Sequence, residues 1–406
     1  NTQSFDANDI KNGNPVDLTG HIPSNINIYS SKLDYIHPFK SGLKLESGLK
    51  TSFVHTNNQV EYIRSSGNGW SVDDRSNHFV YEENINAAYA IVSKKIKKWD
   101  LTAGLRLENT VSKGHQIKND STFKRNYTNL FPNAGIGFSV SDKNQVNLSY
   151  SRRVNRPDYE DLNPFVYFLD SLTYGQGNPY LKPQFSQNIE LSHTYNKFLT
   201  TTINYTKTND IITRLLKQDT EKKTTYQTTD NLSSMQQFGL AVTANTPVKK
   251  WWNVNIYANV FNNHYKGIYQ TDPIDVNISG FTSNMTNSFT MGKGWSVEVS
   301  GWYRSKGTEG LLIINDMGAV NSAISKQLFK KNGTLKFGVR DIFYTQQFSG
   351  YAKYSDVNVN LAGKRDSRQF NLSFTYRFGK TNIPSERRKT GGANDEQNRV
   401  KSGGDN

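Results

Sequence analysis

Apolar and polar residues alternate one for one along much of the chain, and helical spacing is almost absent. Leu101, Ala103, Leu105 and Leu107 interleave with Thr102, Gly104, Arg106 and Glu108. Val146, Leu148 and Tyr150 alternate with Asn147, Ser149 and Ser151, and Val254, Ile256, Ala258 and Val260 with Asn255, Tyr257 and Asn259. The longest run is Phe370, Leu372, Phe374, Tyr376 and Phe378 against Asn371, Ser373, Thr375 and Arg377. Successive side chains of a strand point to opposite faces, so each run predicts a strand with one apolar and one polar face.

The connections come in two kinds. Short ones fall near 40–42, 97–99, 142–144, 196–198, 247–251, 292–294 and 330–333. Between them lie long polar stretches, among them 56–77, 114–125, 156–183 and 217–229. Short turns at one end and long loops at the other are the layout of an outer-membrane barrel. Trp99, Trp251, Trp252 and Trp295 stand at or just after short turns, with Lys97, Lys98, Lys249, Lys250 and Lys293 before them. An indole is apolar in its body and polar at its N–H, which suits it to the membrane–water interface. The predicted fold is therefore all-β: an antiparallel transmembrane β-barrel with about fifteen strands present. The first, near 25–39, runs toward a short turn, and single-chain bacterial barrels have an even count. Further strands upstream are expected on both grounds.

Composition supports this reading. Only 35% of residues are apolar and mean hydropathy is −0.70, yet aromatics reach 12%. Only alternate residues of a barrel strand meet lipid, so low hydropathy and many aromatics coexist. No window approaches the roughly 18 apolar residues of a membrane helix. The absence of cysteine excludes disulfides and thiolate chemistry. A net charge of +14 is spread along the whole chain without a nucleic-acid-binding module, so no nucleic-acid partner is expected. Residues 1–20 are polar and lack alternation, and are expected to belong to a preceding loop. Residues 21–379 are assigned to barrel strands and loops, and 380–406, rich in glycine and mixed charge, to a disordered periplasmic tail.

Two segments, YSRRVNRPDYEDLNPF at 150–165 and GQGNPYLKPQFSQNIEL at 175–191, resemble the outer-membrane β-barrel family at the C-terminal end of many TonB-dependent receptors of the Bacteroidota. FNLSFTYRFG at 370–379 resembles that family's last strand. The resemblance implies a bacterial outer-membrane location and a barrel of about twenty-two strands. It also implies an N-terminal plug and often a small carboxypeptidase-regulatory-like domain. Implied partners are outer-membrane lipid and lipopolysaccharide, a TonB complex reached through the plug, and a surface lipoprotein. The implied function is uptake of a nutrient ligand of siderophore, glycan or peptide class. The alternative is a surface barrel that is structural or adhesive and transports nothing.

Candidate chemistry is sparse. Arg152, Arg153 and Arg156 with Asp158, Glu160 and Asp161 form the densest charged cluster, at the base of a long loop. They make either a ligand-facing patch or, the reading favoured here, a loop base whose neighbouring opposite charges satisfy one another. Tyr159, Phe165, Tyr167, Phe168, Tyr174 and Tyr180 either stack on a ligand or, again the favoured reading, pack the loop. Pro157, Pro164, Pro179 and Pro183 stiffen it, and Gly175, Gly177 and Asn178 supply turn positions. Ligand-binding candidates are thus Arg152, Arg153, Arg156, Asp158, Tyr159, Phe165, Tyr167 and Tyr174. The seven histidines lack metal-site spacing, and there is no nucleophile elbow or phosphate loop. No catalytic residue, metal or cofactor is expected.

Overall fold

The computed structural model describes residues 2–5, 11–65, 69–168, 173–219, 223–269, 271–355, 357–379 and 391–400, with backbone alone for those before 17. Fifteen long strands stand out among them. They are β1 Ser24–Pro38, β2 Leu43–Ser65, β3 Asn77–Ile96, β4 Trp99–Gln116, β5 Ser121–Ser141, β6 Asn144–Asn155, β7 Gln184–Tyr195 and β8 Leu199–Asp219. Then follow β9 Thr224–Lys249, β10 Trp252–Tyr269, β11 Asp272–Gly292, β12 Trp295–Arg304, β13 Met317–Leu328, β14 Gly333–Arg340 and β15 Gln369–Tyr376. Each pairs antiparallel with the next in sequence, so the sheet is an up-and-down meander that curves into a barrel wall. Among the described residues, β1 pairs only with β2, and β15 only with β14.

The ladder registers show why alternation fixes the faces. Leu101, Ile136, Leu148, Leu191, Ile203, Leu240, Val260 and Phe281 are direct cross-strand partners from β4 to β11. All eight are exposed. An unbroken apolar row on the outside of a continuous ladder is stable only against a non-aqueous surrounding. A one-residue slip anywhere would turn a whole strand's apolar set inward. The set Phe370, Leu372, Phe374, Tyr376 and Phe378 is exposed in the same way.

All seven expected short turns are present, at one end of the sheet. Trp99, Trp251 and Trp295 sit there, exposed, and cations accompany two of them: Lys249 lies 5.9 Å from the Trp251 ring and Lys326 4.7 Å from that of Trp295. Trp252 stacks on Trp251 at 6.2 Å and donates its indole N–H to Asn287 Oδ1 at 3.1 Å.

The other end differs from the expectation of long irregular loops. Strands run on well past the ~9–11 residues needed to cross; β9 has 26 residues. The stretch expected as loop at 114–125 is strand to Gln116 and again from Ser121, turning through Ile117–Asn119. These residues hold strand geometry because they are paired: Gly114 faces Phe123 and His115 faces Thr122. Residues expected as a loop before 21 are also partly strand, with Leu18–His21 laid along the far end of β2 and Thr2–Phe5 paired with Lys11–Val16. The connections after β12 and β14 contribute a four-stranded sheet of Gly307–Glu309, Leu312–Ile314, Phe348–Tyr354 and Val357–Gly363, which sequence patterning missed. It leans on the extension of β8, where the Tyr354 hydroxyl donates to the Leu216 carbonyl at 2.7 Å and receives its N–H at 2.8 Å.

Candidate functional site

Functional groups concentrate on the inner faces of β2, β3 and β4 and on the 156–183 loop that roofs them. The loop has its own core. Tyr159, Leu162, Phe165 and Leu181 pack with Val54, Val60, Tyr62, Phe79 and Tyr81 from the strand extensions. The Tyr62 hydroxyl donates to the Val166 carbonyl at 2.6 Å, and Asn231 bonds Lys182 through both its amide nitrogen and its oxygen, tying the loop to β9. Gly177 is required here by close approach rather than by turn geometry: a Cβ on it would lie 2.0 Å from the Asn163 carbonyl oxygen. Burial pushes the Tyr167 hydroxyl up to about 12, so it stays a neutral donor and acceptor.

Below the roof the inner wall carries paired charges. Arg106 donates to Glu108 at 2.6 and 2.9 Å from its two nitrogens, and Arg156 donates to the same carboxylate and, at 3.1 Å, to Thr110 Oγ1. The Tyr81 hydroxyl donates to Glu83 at 2.8 Å. The sequence-based expectation that Arg152, Arg153 and Arg156 pair with Asp158, Glu160 and Asp161 is corrected for Arg156. Its carboxylate comes from a strand far away in sequence, because β6 carries it over the inner face of β4. Arg152 is a clamp on the wall. The β5–β6 ladder stops at the Asn133–Ser151 pair, next to Pro132, which has no N–H. Arg152 bonds the exposed Leu130 carbonyl at 2.8 Å and Asn129 Oδ1 at 3.3 Å, and its guanidinium lies 5.2 Å from the Phe185 ring.

Residues 391–400, assigned from sequence to a disordered periplasmic tail, instead form a helical turn, α1 Asn394–Gln397, inside the barrel against this wall. Lys50 donates to Asp395 at 2.9 Å and lies 3.0 Å from Glu396, which also accepts from the Ser52 hydroxyl at 2.8 Å. Arg399 binds Glu83, donates to the Pro157 carbonyl at 2.9 Å and lies 4.2 Å from the Tyr159 ring. A composition of glycine and mixed charge suggests disorder only while the charges lack partners. The remainder of that tail, at 380–390 and 401–406, lies outside the described residues.

The eight ligand candidates thus divide. Arg152, Arg153, Arg156 and Asp158 line one cavity of about 450 Å³ beside α1. Tyr159 and Phe165 are core residues of the loop. Tyr167 and Tyr174 belong to the small hairpin of Val166–Phe168 and Thr173–Gln176, where Tyr174 stacks on Tyr226 at 5.0 Å. The reading of the loop aromatics as packing holds for Tyr159 and Phe165. Sequence reasoning missed Lys50, Glu83 and Glu108. The signal available was a charge at an inward-facing position: Glu83 among the apolar Tyr81 and Ile85, and Glu108 two residues from Arg106. It also missed Glu396 and Arg399, spaced three apart as on one helix face.

The model of the outer membrane protein beta-barrel family matches residues 1–376. The chain belongs to that family. In outer-membrane barrels the short turns face the periplasm and the long loops the cell exterior. No curated protein sequence matches it. Solved structures share its fold. The ferric yersiniabactin uptake receptor FyuA from Yersinia pestis superposes at a TM-score of 0.64 with 14% identity, over 89% of this chain and 56% of that one. The copper transporter OprC gives 0.66 with 12% identity, over 88% and 58%. The ferric citrate transporter FecA gives 0.61 with 13% identity, over 91% and 56%. The chain spans less than two thirds of the length of these structures.

Proposed function

We propose that this barrel is the wall of a TonB-dependent receptor that imports a nutrient ligand of siderophore, glycan or peptide class. TonB would be engaged through a plug that is not among the residues described. The observation that carries the reading is the inner face of β2–β4: desolvated, paired charges under an aromatic, internally packed roof. A passive structural wall has no need of buried ions, which cost free energy even when paired. The fold shared with receptors and transporters for ferric chelates and copper supports the same reading. Arg153, Asp158, Tyr167 and Tyr174 are the proposed ligand contacts among the eight candidates. Arg152, Arg156, Tyr159 and Phe165 shape the site.

The test uses the full-length protein in detergent, titrated calorimetrically with ferric citrate, a ferric catecholate, a maltooligosaccharide and an oligopeptide mixture. Saturable binding of one class, weakened about tenfold or more by Arg153→Ala with Tyr174→Ala, is the expected result. TonB-dependent uptake of the same probe by cells should accompany it. A protein that binds none of these classes, in cells whose uptake does not depend on it, would be the structural or adhesive barrel instead.

A further inference from the structure

We infer that the inner wall of β2 and β3 is a docking site for the chain's own Asp395-Glu396-x-x-Arg399 turn, which serves as a latch between that wall and the base of the 156–183 loop. The inference stands whether or not the barrel carries a ligand. Four residues cannot hold a helix unaided in water, since nucleation is unfavourable. Here α1 and the residues just after it are held by contacts of opposite sign: the anionic Asp395 and Glu396 meet Lys50, and the cationic Arg399 meets Glu83. Both ends of this contact are desolvated. Glu396 is 1% exposed and Arg399 8%. Reversing the turn would set Glu396 against Glu83 and Arg399 against Lys50, so the charges specify one orientation.

The occupant is this chain's own segment. Lys50 is seven residues along β2 from Leu43 at the periplasmic turn, roughly 23 Å at strand rise. The residues between Gly379 and Gly391 reach about 40 Å when extended, enough to return into the lumen from the end of β15. Gly392 passes so close to β1 that a Cβ there would lie 3.1 Å from Ser30 Oγ and 3.3 Å from Lys32 Cβ. Gly392 thus lets the chain pass close over the wall.

The latch also reaches the roof. The Tyr159 N–H donates to the Arg399 carbonyl at 3.2 Å, and Arg399 donates to the Pro157 carbonyl. Docking of the tail and order at the start of the 156–183 loop are therefore one event. Withdrawal of α1 would uncover the inner wall of β2 and β3 and free the loop base together.

These 406 residues contain no cysteine, so a reporter placed among them is their single thiol. Ser52→Cys places a thiol beneath Glu396 at the cost of one hydrogen bond. In isolated outer membranes carrying the full-length protein, its labelling by a small charged methanethiosulfonate should be slow. Arg399→Glu should speed it about tenfold or more, and so should deletion of 391–406. Glu83→Arg should do the same, and Glu83→Arg combined with Arg399→Glu should restore protection. If Glu83→Arg fails to assemble, the Arg399→Glu and deletion proteins decide alone, because they leave every strand untouched. Equally fast labelling in all backgrounds would show that the turn does not dock. Equally slow labelling would show that something else covers the wall. Either result overturns the latch.

Discussion

Two stretches of the same wall, β2–β4 and β14–β15, are built from the same alternation and end in opposite states. On β2 the inward Ser52, Val54, Thr56 and Asn58 are all buried, as are Glu83 on β3 and Glu108 and Thr110 on β4. On β15 every residue from Gln369 to Tyr376 is exposed, on both faces. Inward Ser and Thr occur in both stretches. What differs, among the described residues, is what stands in front of them: the roof loop and α1 cover one stretch, and no described segment covers the other. Burial inside a barrel is thus a property of its contents, whereas exposure outside is set by the strand itself.

The largest contrast should come from charge. Glu108→Ala strips Arg106 and Arg156 of a shared carboxylate in the covered wall, and should cost about 3–5 kcal/mol. Thr375→Ala on the bare wall should stay within about 0.5 kcal/mol. Urea unfolding of both variants from micelles by tryptophan fluorescence measures the gap, and comparable losses would dissolve the distinction. Next comes the outer face. Leu372→Arg should cost about 2–4 kcal/mol in a bilayer and Ser373→Arg little, which heat-modifiability gels of the membrane-inserted protein report. A smaller effect sharpens the role of the roof. Gly177→Ala pushes a methyl into the Asn163 carbonyl and should destabilise by about 1–3 kcal/mol. Limited chymotrypsin digestion should then cut after Tyr159 or Phe165, which are buried in the parent protein.

The smallest effect belongs to the loop beyond β14, at the bare end. Burial pushes the Asp341 carboxyl up, but hydrogen bonds from Ser367 Oγ and the Gln346 and Thr345 amides outweigh it and hold it down at about 2. Its pKa is lower folded than unfolded, so its contribution is present above the ordinary carboxylate pKa. It is lost as pH falls through about 4 toward 2. After allowance for solvent screening this is on the order of 1 kcal/mol. The melting temperature of Asp341→Asn should lie below that of the parent at pH 6, with the difference vanishing near pH 2. A constant difference across that range would assign the role to shape alone.

Much of this molecule is legible in its amino-acid order. A strand's side-chain period is a consequence of covalent geometry, so alternation names the strands, the seven short turns and the outward faces without reference to partners. The tryptophans at 99, 251, 252 and 295 are legible for the same reason, since position relative to a turn is local. The inner face is not. Which carboxylate meets Arg156, that Arg152 mends a ladder interrupted beside Pro132, and that Gly177 yields room to a carbonyl depend on residues brought together across the wall. The tail shows this most clearly. Its composition reads as disorder because unpaired charges are solvated. Whether Asp395, Glu396 and Arg399 find Lys50 and Glu83 is decided only once the assembled strands create a low-dielectric surface on which matched charges outweigh the entropy of a free end.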